Sequence, residues 1–149
     1  MADPLVFTNG FLGFTTATST AGAYTAPVGL KSVTIPISRA ELDDAAMGDD
    51  ISATFPGIIT GPISARFRQN YAVGGIDSVA YVRWNAKTMF RADVRPVNAV
   101  VSTTNPAYRW SRVYIASITP VNGAHGEILY NDLEIRPASG CVFSRSTSS

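Results

Sequence analysis

Polar and apolar side chains alternate with a period of two in several separated stretches of this 149-residue chain. Side chains of a β-strand point alternately to opposite faces of the sheet, so this alternation predicts strands with one buried and one wetted face. The stretches are 28–38, 63–68, 88–95, 109–119 and 127–136. Pro36 lies within the first of them and indicates an edge strand or a bulge, because proline has no N–H to donate to a ladder.

A helix is predicted at 77–86, after the flexible pair Gly74-Gly75, with Asp77 or Ser78 available as the N-cap. Many strands, one short helix and no β-α-β rhythm predict a mainly β fold, an antiparallel β-sandwich or barrel with one short flanking α-helix. We expect a single domain over residues 1–149. Its N-terminal segment 15–27 is expected to be flexible and its C-terminal tail 146–149 to fray.

The composition favours a subunit of an oligomer. Hydrophobic residues make up 46% of the chain, which is enough for one core, but charged residues make up only 15%. Because soluble proteins usually carry about 25% charged residues, an isolated subunit would expose much neutral surface. Such a surface favours permanent contact with other copies.

The net charge of +1 argues against a general nucleic-acid coat, which needs a dense basic surface. The distribution is uneven, however. Residues 1–60 carry two basic against six acidic side chains, or −4, and residues 61–149 carry ten against five, or +5. This asymmetry can direct head-to-tail stacking of identical subunits.

Cys141 is the only cysteine, so the chain can form no internal disulfide. The sequence also has neither the features of a secretory signal nor an apolar run long enough to span a membrane. We therefore expect no membrane insertion and a cytoplasmic chain.

Segment 41–50 combines carboxylates with small residues, which predicts an exposed loop. A strand is predicted after it, interrupted by Pro56, Gly57, Gly61 and Pro62. Four carboxylates of segment 41–50 could offer oxygen ligands to a hard cation. They lack the twelve-residue spacing of an EF-hand, so a solvated or inter-subunit loop is favoured over a calcium site. These carboxylates belong to Asp43, Asp44, Asp49 and Asp50.

No pattern in the sequence predicts catalysis. The motifs of serine hydrolases, P-loop proteins and zinc peptidases are missing, and His125, the one histidine, lies in a turn-like stretch without an orienting acid. We predict that the chain is not an enzyme and that it has no catalytic residue, no bound metal and no cofactor. Aromatic residues near arginines could stack on bases or sugars, but packing is the commoner role. They are Trp84, Trp110, Tyr108 and Tyr114, with Arg109 and Arg112.

Five segments, in this order and spacing, carry a resemblance that spans roughly residues 28–145. The segments are ELDDAAMGDD at 41–50, FPGIITGPISARFRQNY at 55–71, GGIDSVAYVRW at 74–84, FRADVRP at 90–96 and STTNPAYRW onward at 102–140. With them the chain resembles the tail tube, or major tail, proteins of long-tailed double-stranded DNA bacteriophages.

The resemblance implies a structural virion protein that forms hexameric rings, which stack into a hollow tube for genome delivery. It implies a location in the virion tail after assembly in the bacterial host cytoplasm. The implied partners are further copies of the chain, the tape-measure, tail terminator and distal tail proteins, and double-stranded DNA passing through the lumen. The alternative is a capsid decoration protein or another oligomeric all-β virion binding module.

In that family a long loop reaches towards an adjacent ring, and the matching segment here is 39–57, centred on Leu42, Asp43, Asp44 and Met47. Arg66 and Arg68 project from one face of a predicted strand, and we expect both to pair with carboxylates of a neighbouring subunit, because fixed lumenal cations would retard DNA. The candidate contact residues are Arg39, Glu41, Leu42, Asp43, Asp44, Met47, Asp49, Asp50, Arg66 and Arg68.

Overall fold

A computed structural model describes residues 9–16, 24–44, 46–47 and 54–148. Within these ranges the chain forms nine strands and one helix. In chain order they are β1 (Phe11–Thr16), β2 (Leu30–Thr34), β3 (Ser38–Asp43), β4 (Thr54–Thr60), β5 (Ile63–Arg68), α1 (Ile76–Asn85), β6 (Phe90–Arg95), β7 (Ala107–Ile118), β8 (Tyr130–Pro137) and β9 (Phe143–Ser146).

Seven strands form one antiparallel sheet in the order β1-β6-β7-β8-β5-β2, with β9 added to β7. The long strand β7 pairs with β6 on one side. On its other side it pairs first with β9, through 107–110, and then with β8, through 113–118. The end strands β1 and β2 also contact each other, so the sheet curls towards a barrel. The predicted mainly β, antiparallel architecture is confirmed.

The core lies on the inner face of this curled sheet, where alternate residues of each strand are buried. Phe14 and Phe90 meet edge to face with ring centroids 5.0 Å apart. α1 covers this face with Ile76 and Ala80, which are fully buried. The other buried apolar residues of the cluster are Leu12, Ile63, Ala65, Phe67, Ala92, Val94, Trp110, Val113, Ile115, Leu133 and Ile135.

The predicted helix is confirmed and begins one residue early, but its predicted N-cap is wrong. Gly75 occupies the N-cap position, and no side chain caps the helix. Ser78 lies inside the first turn, where its hydroxyl donates to the Gly75 carbonyl at 3.0 Å and accepts from the Gly74 N–H at 3.1 Å. Near the other end, Arg83 lies over the Phe14 and Phe90 rings, and burial lowers its pKa.

The stretch 28–38 was predicted as one strand, and the structure divides it between β2 and β3. The break covers 35–37, so Pro36 falls between the strands. β2 is an edge strand with a register shift between Leu30 and Ser32, as the proline indicated. The chain leaves the large sheet at this break and begins a second sheet of two strands, β3 and β4.

The loop that the resemblance implies over 39–57 is wrong at both ends, whereas the strand predicted after the acidic segment is confirmed as β4. β3 continues to Asp43 and pairs with β4, with Leu42 opposite Phe55 and Asp43 opposite Thr54. β4 is rich in β-branched and aromatic residues, which favour a strand, and its backbone pairs with β3. The charged side chains of β3 are compatible with this strand because all its residues are exposed. Residues 45 and 48–53 lie outside the described ranges, and with them the candidate contacts Asp49 and Asp50.

Other sequence expectations have mixed outcomes. β7 and β8 form a hairpin, and Asn122-Gly123 in their connection is a sequence signal for its turn. The turn lies instead at 124–127, where Gly126 adopts the positive φ of 81°. Segment 15–27 is expected to be flexible, and its residues 17–23 lie outside the described ranges. Within it, Thr25 exchanges two backbone hydrogen bonds of 2.9 Å with Phe14. The flexibility of this segment and the fraying of the tail stay predictions.

Candidate subunit-contact surfaces

The β3–β4 hairpin, residues 38–43 and 54–60, is almost entirely exposed. All six residues of β3 and six of the seven in β4 are exposed. They include apolar side chains, with Leu42 57%, Phe55 59% and Ile58 81% exposed. A two-stranded hairpin alone is marginally stable in water, and exposed apolar clusters mark interaction surfaces. The hairpin is therefore a candidate surface for contact with another subunit.

The two strands of the hairpin are held together at its base. The Ser38 and Thr60 hydroxyls lie 2.8 Å apart across it, and Arg39 donates to the Gly57 carbonyl at 3.4 Å. Beside this base, a cavity of about 320 Å³ is lined by Ile37, Ile58, Ile59, Gly61, Trp110, Pro137, Cys141, Val142 and Phe143. The base of the hairpin therefore borders this cavity, and the rest of the hairpin is exposed.

The candidate contact residues divide between the hairpin and the large sheet. Arg39, Glu41, Leu42 and Asp43 lie on β3, and Asp44 and Met47 follow it, all of them exposed. Arg66 and Arg68 lie apart from these, on β5. Within the described ranges, no group of three or more metal-binding side chains lies together. The calcium alternative depended partly on Asp49 and Asp50 and stays open.

The outer face of the large sheet is polar, and it carries Arg66 and Arg68 on the same side of β5. Arg66 lies directly opposite Asp132 on β8 and donates to both of its carboxylate oxygens, at 2.7 and 3.1 Å. Asn122 adds a third hydrogen bond, at 3.1 Å. Arg136 and Glu134 form a second exposed ion pair on this face, with 2.8 Å between Nε and Oε1. Arg68 has no carboxylate partner among the described residues.

The Arg66–Asp132 pair predicts a pH dependence of stability. The hydrogen bond from Arg66 lowers the pKa of Asp132 below its usual value near 3.9. This stabilisation is complete above that value and is lost as the pH falls through the folded-state pKa. The free energy of unfolding should fall between pH 6 and pH 3, and it should fall less in Asp132→Asn than in the parent. The difference should be below about 1 kcal/mol because the pair is exposed. An unchanged pH profile in urea titrations would contradict it.

A second charged group on the same face is buried. The Asp93 side chain is fully buried and accepts from Arg95, at 3.0 and 3.2 Å, and from Arg109, at 3.1 Å. Arg95 lies 4.7 Å from the Phe11 ring centroid and Arg109 lies 5.9 Å from that of Tyr24. Burial, and then the charge of Asp93, raises the pKa of Tyr24. This network ties β1, β6 and β7 to the segment before β2.

An open apolar groove lies between the C-terminal end of α1 and β7. Its volume is about 690 Å³, and its lining residues are Trp84, Asn85, Lys87, Met89, Tyr114, Ile115 and Ala116. Trp84, Met89 and Tyr114 are each more than one third exposed. Packing is the role expected for Trp84 and Tyr114, but both line this surface groove. Trp110 and Tyr108 pack in the interior against Phe143.

Lys87, at the rim of this groove, has an unfavourable backbone conformation. The helix ends in a Schellman motif, in which the Thr88 N–H donates to the Arg83 carbonyl at 3.0 Å and the Lys87 N–H to the Trp84 carbonyl at 3.3 Å. The residue of this motif that adopts the left-handed conformation is usually glycine, but here it is Lys87, with φ of 54°. Among the described non-glycine residues it alone has positive φ. Strain retained at such a position favours a role for its side chain.

We expect Lys87→Gly to stabilise the isolated subunit by about 1 kcal/mol, because glycine adopts the left-handed conformation without the steric cost. The matched control is Ala86→Gly at the preceding residue, which has φ of −78°. That variant gains no such relief and loses backbone order, so it should destabilise the subunit. Chemical denaturation of both variants measures the difference. A destabilised Lys87→Gly would contradict the strain argument.

No described helix is long and apolar enough to cross a membrane.

The mainly β fold, with antiparallel sheets and one short helix, matches that of solved tail tube proteins. Among solved structures, the SPP1 tail tube matches this chain with a TM-score of 0.72 over 97% of it and 81% of that chain, at 9% identity. The tail of an empty gene transfer agent particle, refined with C6 symmetry, matches with 0.68 over 90% and 94%, at 14% identity.

The same fold occurs in the sheath–tube complex of an extracellular contractile injection system, PVC, in the extended state. It matches with a TM-score of 0.62 over 96% of this chain and 93% of that chain, at 10% identity. Identities this low show a shared fold and nothing further. No protein-family model and no curated protein matches the chain.

Proposed function

We propose that this chain is a structural virion protein that assembles with copies of itself into stacked hexameric rings and so forms the hollow tail tube of a phage or phage-like particle. The observation that carries the proposal is the β3–β4 hairpin, whose Leu42, Phe55 and Ile58 are not buried by the described part of the chain. Its fold, shared with solved tubes, supports the ring arrangement, since one of those tails was refined with C6 symmetry.

The hairpin makes the contact between rings in this proposal. Its base lies beside a cavity that Trp110 and Phe143 also line, and its remaining part projects from the large sheet. The candidate contacts of segment 39–57, including Asp49 and Asp50, belong to this arm.

The polar outer face of the large sheet lines the channel in this proposal. Passing DNA would be held back by unpaired cations, because each phosphate attracts them. Four arginines of this face each bind a carboxylate of the same chain. Arg66 binds Asp132, Arg136 binds Glu134, and Arg95 and Arg109 both bind Asp93. This pairing supports a wall that DNA can slide along.

Arg66 and Arg68 lie on β5, next to the edge strand β2, and so near the margin of this face. Arg66 already binds Asp132 of its own chain, and its expected partner on a neighbouring subunit remains a prediction. Arg66→Ala and Arg68→Ala are each expected to weaken assembly at low salt and to make it less dependent on salt, because an ion pair that salt would screen is lost. The effect of Arg68→Ala should be the larger. Light scattering over increasing salt measures this, and assembly unchanged in both variants would count against contacts at β5.

The tape-measure protein, the tail terminator and the distal tail protein are the further partners that we propose, with assembly in the host cytoplasm and no enzymatic activity. The fold recurs in solved structures described as a sheath/tube terminator and a baseplate of contractile systems, which supports contacts at the two ends of a tube. A tube subunit needs surfaces for itself and for these ends, and no catalytic site.

Negative-stain microscopy of the purified chain over a range of concentrations tests the proposal. We expect six-membered rings with a central hole and, at higher concentration, tubes with regular striations. Compact trimers would favour the decoration alternative. A chain that stays monomeric at every concentration would contradict self-assembly.

A further inference from the structure

We infer that the groove between α1 and β7 receives the β3–β4 hairpin of another copy, with strand β3 adding to the free edge of β7. The inference rests on the proposed self-assembly and adds the surface that receives the arm. It makes the contact heterologous, since one copy contributes the hairpin and the next contributes the groove.

The floor of the groove is an unpaired strand edge. β6 pairs with β7 only as far as Val113, opposite Phe90. The remaining part of β7, from Tyr114 to Ile118, pairs with β8 on its other side, and no described strand covers the side towards β6. A free edge beside a helix is a suitable site for strand addition, in which backbone hydrogen bonds provide affinity and side-chain pockets provide specificity.

The walls of the groove suit an apolar strand. Trp84 and Met89 stand on one side and Tyr114 on the other, and the groove volume of about 690 Å³ leaves room for several side chains. Large aromatic and methionine side chains are typical of surfaces that bind proteins. An extended segment that enters here would cover them while it pairs with the edge.

The hairpin offers such a segment. β3 pairs with β4 alone among the described strands, so no strand lies beside the outer edge of its residues 38–42. β4 contains Pro56, which has no N–H to donate, whereas β3 contains no proline and carries the exposed Leu42. β3 is therefore the better donor of a ladder, and Leu42 is the apolar side chain that it brings to the groove.

Charge favours the same pairing. β3 carries Glu41 and Asp43, and Asp44 follows it, whereas the groove has Lys87 at its rim. The strained backbone of Lys87 is retained where glycine would fit better, and an acidic partner explains that retention. Opposite charges at the rim of an interface fix register and select the correct partner.

Disulfide trapping tests the contact. In a Cys141→Ser background, Leu42→Cys combined with Met89→Cys is expected to give a ladder of covalent multimers when assembled protein is mildly oxidised. Each single variant should give no ladder, because the contact joins different residues. The matched control combines Leu42→Cys with Val121→Cys, which is as exposed as a contact residue but lies on the β7–β8 connection.

The outcomes separate the inference from the proposed function. Tubes that give the ladder only with the 42–89 pair support both. Tubes without that ladder, or with an equal ladder in the 42–121 control, overturn the groove and leave the assembly standing. A background protein that forms no assembly at all overturns the proposed function, and the inference with it.

A charge exchange gives a second test. Lys87→Glu and Glu41→Lys are each expected to raise the concentration at which half of the protein assembles by roughly tenfold, since each places like charges together. The double variant restores an opposite pair and should return to within about threefold of the parent. Additive losses in the double variant would overturn the contact between these two elements.

Discussion

The double substitution Phe55→Asp and Ile58→Asp is expected to abolish assembly and to leave the subunit folded. Both side chains are exposed, at 59% and 81%, so their replacement should change the free energy of unfolding by less than about 0.5 kcal/mol. In an interface, however, the same carboxylates would be desolvated without partners. We expect the concentration for half assembly to rise more than about a hundredfold, which corresponds to roughly 3 kcal/mol.

Sedimentation velocity measures the assembled fraction of this variant, and thermal unfolding checks its fold. The matched control is Val121→Asp with Ile128→Asp, two exposed apolar residues on the β7–β8 connection. That control should assemble like the parent. Normal tubes from the hairpin variant, with intact unfolding cooperativity, would show that the arm makes no contact that matters.

Asp93→Ala is expected to cause the largest loss of stability among single changes on the outer face. The substitution removes the partner of two guanidiniums, Arg95 and Arg109, whose side chains are only 18% and 32% exposed. Breaking a buried ion pair from one side costs about 3–5 kcal/mol. Because the arginines keep some contact with water, we expect Asp93→Ala to lower the free energy of unfolding by about 3 kcal/mol. Asp93→Asn should lower it less.

Glu134→Ala provides the comparison for Asp93→Ala, since Glu134 lies on the same face and pairs with Arg136 in an exposed position. Exposed ion pairs are worth between zero and about 1 kcal/mol. Urea titration of both variants should therefore separate them clearly. Similar losses from the two substitutions would mean that burial of the Asp93 network contributes little to stability.

Much of the fold follows from the alternation of polar and apolar residues. In β5, Ile63, Ala65 and Phe67 are buried and the residues between them are exposed, as a period of two requires. The helix was also predictable, because its stretch follows Gly74-Gly75 and lacks that alternation. These are local signals, and each can be recognised within about ten residues.

Pairing between distant strands was not predictable. Arg66 meets Asp132 across 66 residues of sequence, and Asp93 meets Arg109 across 16, through registers that only the assembled sheet defines. Strand β3 was missed for a related reason. Glu41 and Asp43 indicate a solvated loop by polarity, but β4 supplies a ladder that holds them in a strand.

The groove was the part of the candidate site furthest from any sequence signal. It depends on where β6 ends along β7, and on the left-handed backbone of Lys87, neither of which composition or spacing encodes. The aromatic residues Trp84 and Tyr114 were recognisable as a possible surface. Their role as its walls required the structure.

Helical reconstruction of the assembled chain by cryo-electron microscopy tests self-assembly through the hairpin most directly. We predict stacked rings of six copies around an open channel, the polar face of the sheet towards the channel, and each β3–β4 hairpin covered by a copy in the adjacent ring. A solid fibre, or open rings whose hairpins remain in solvent, would contradict it.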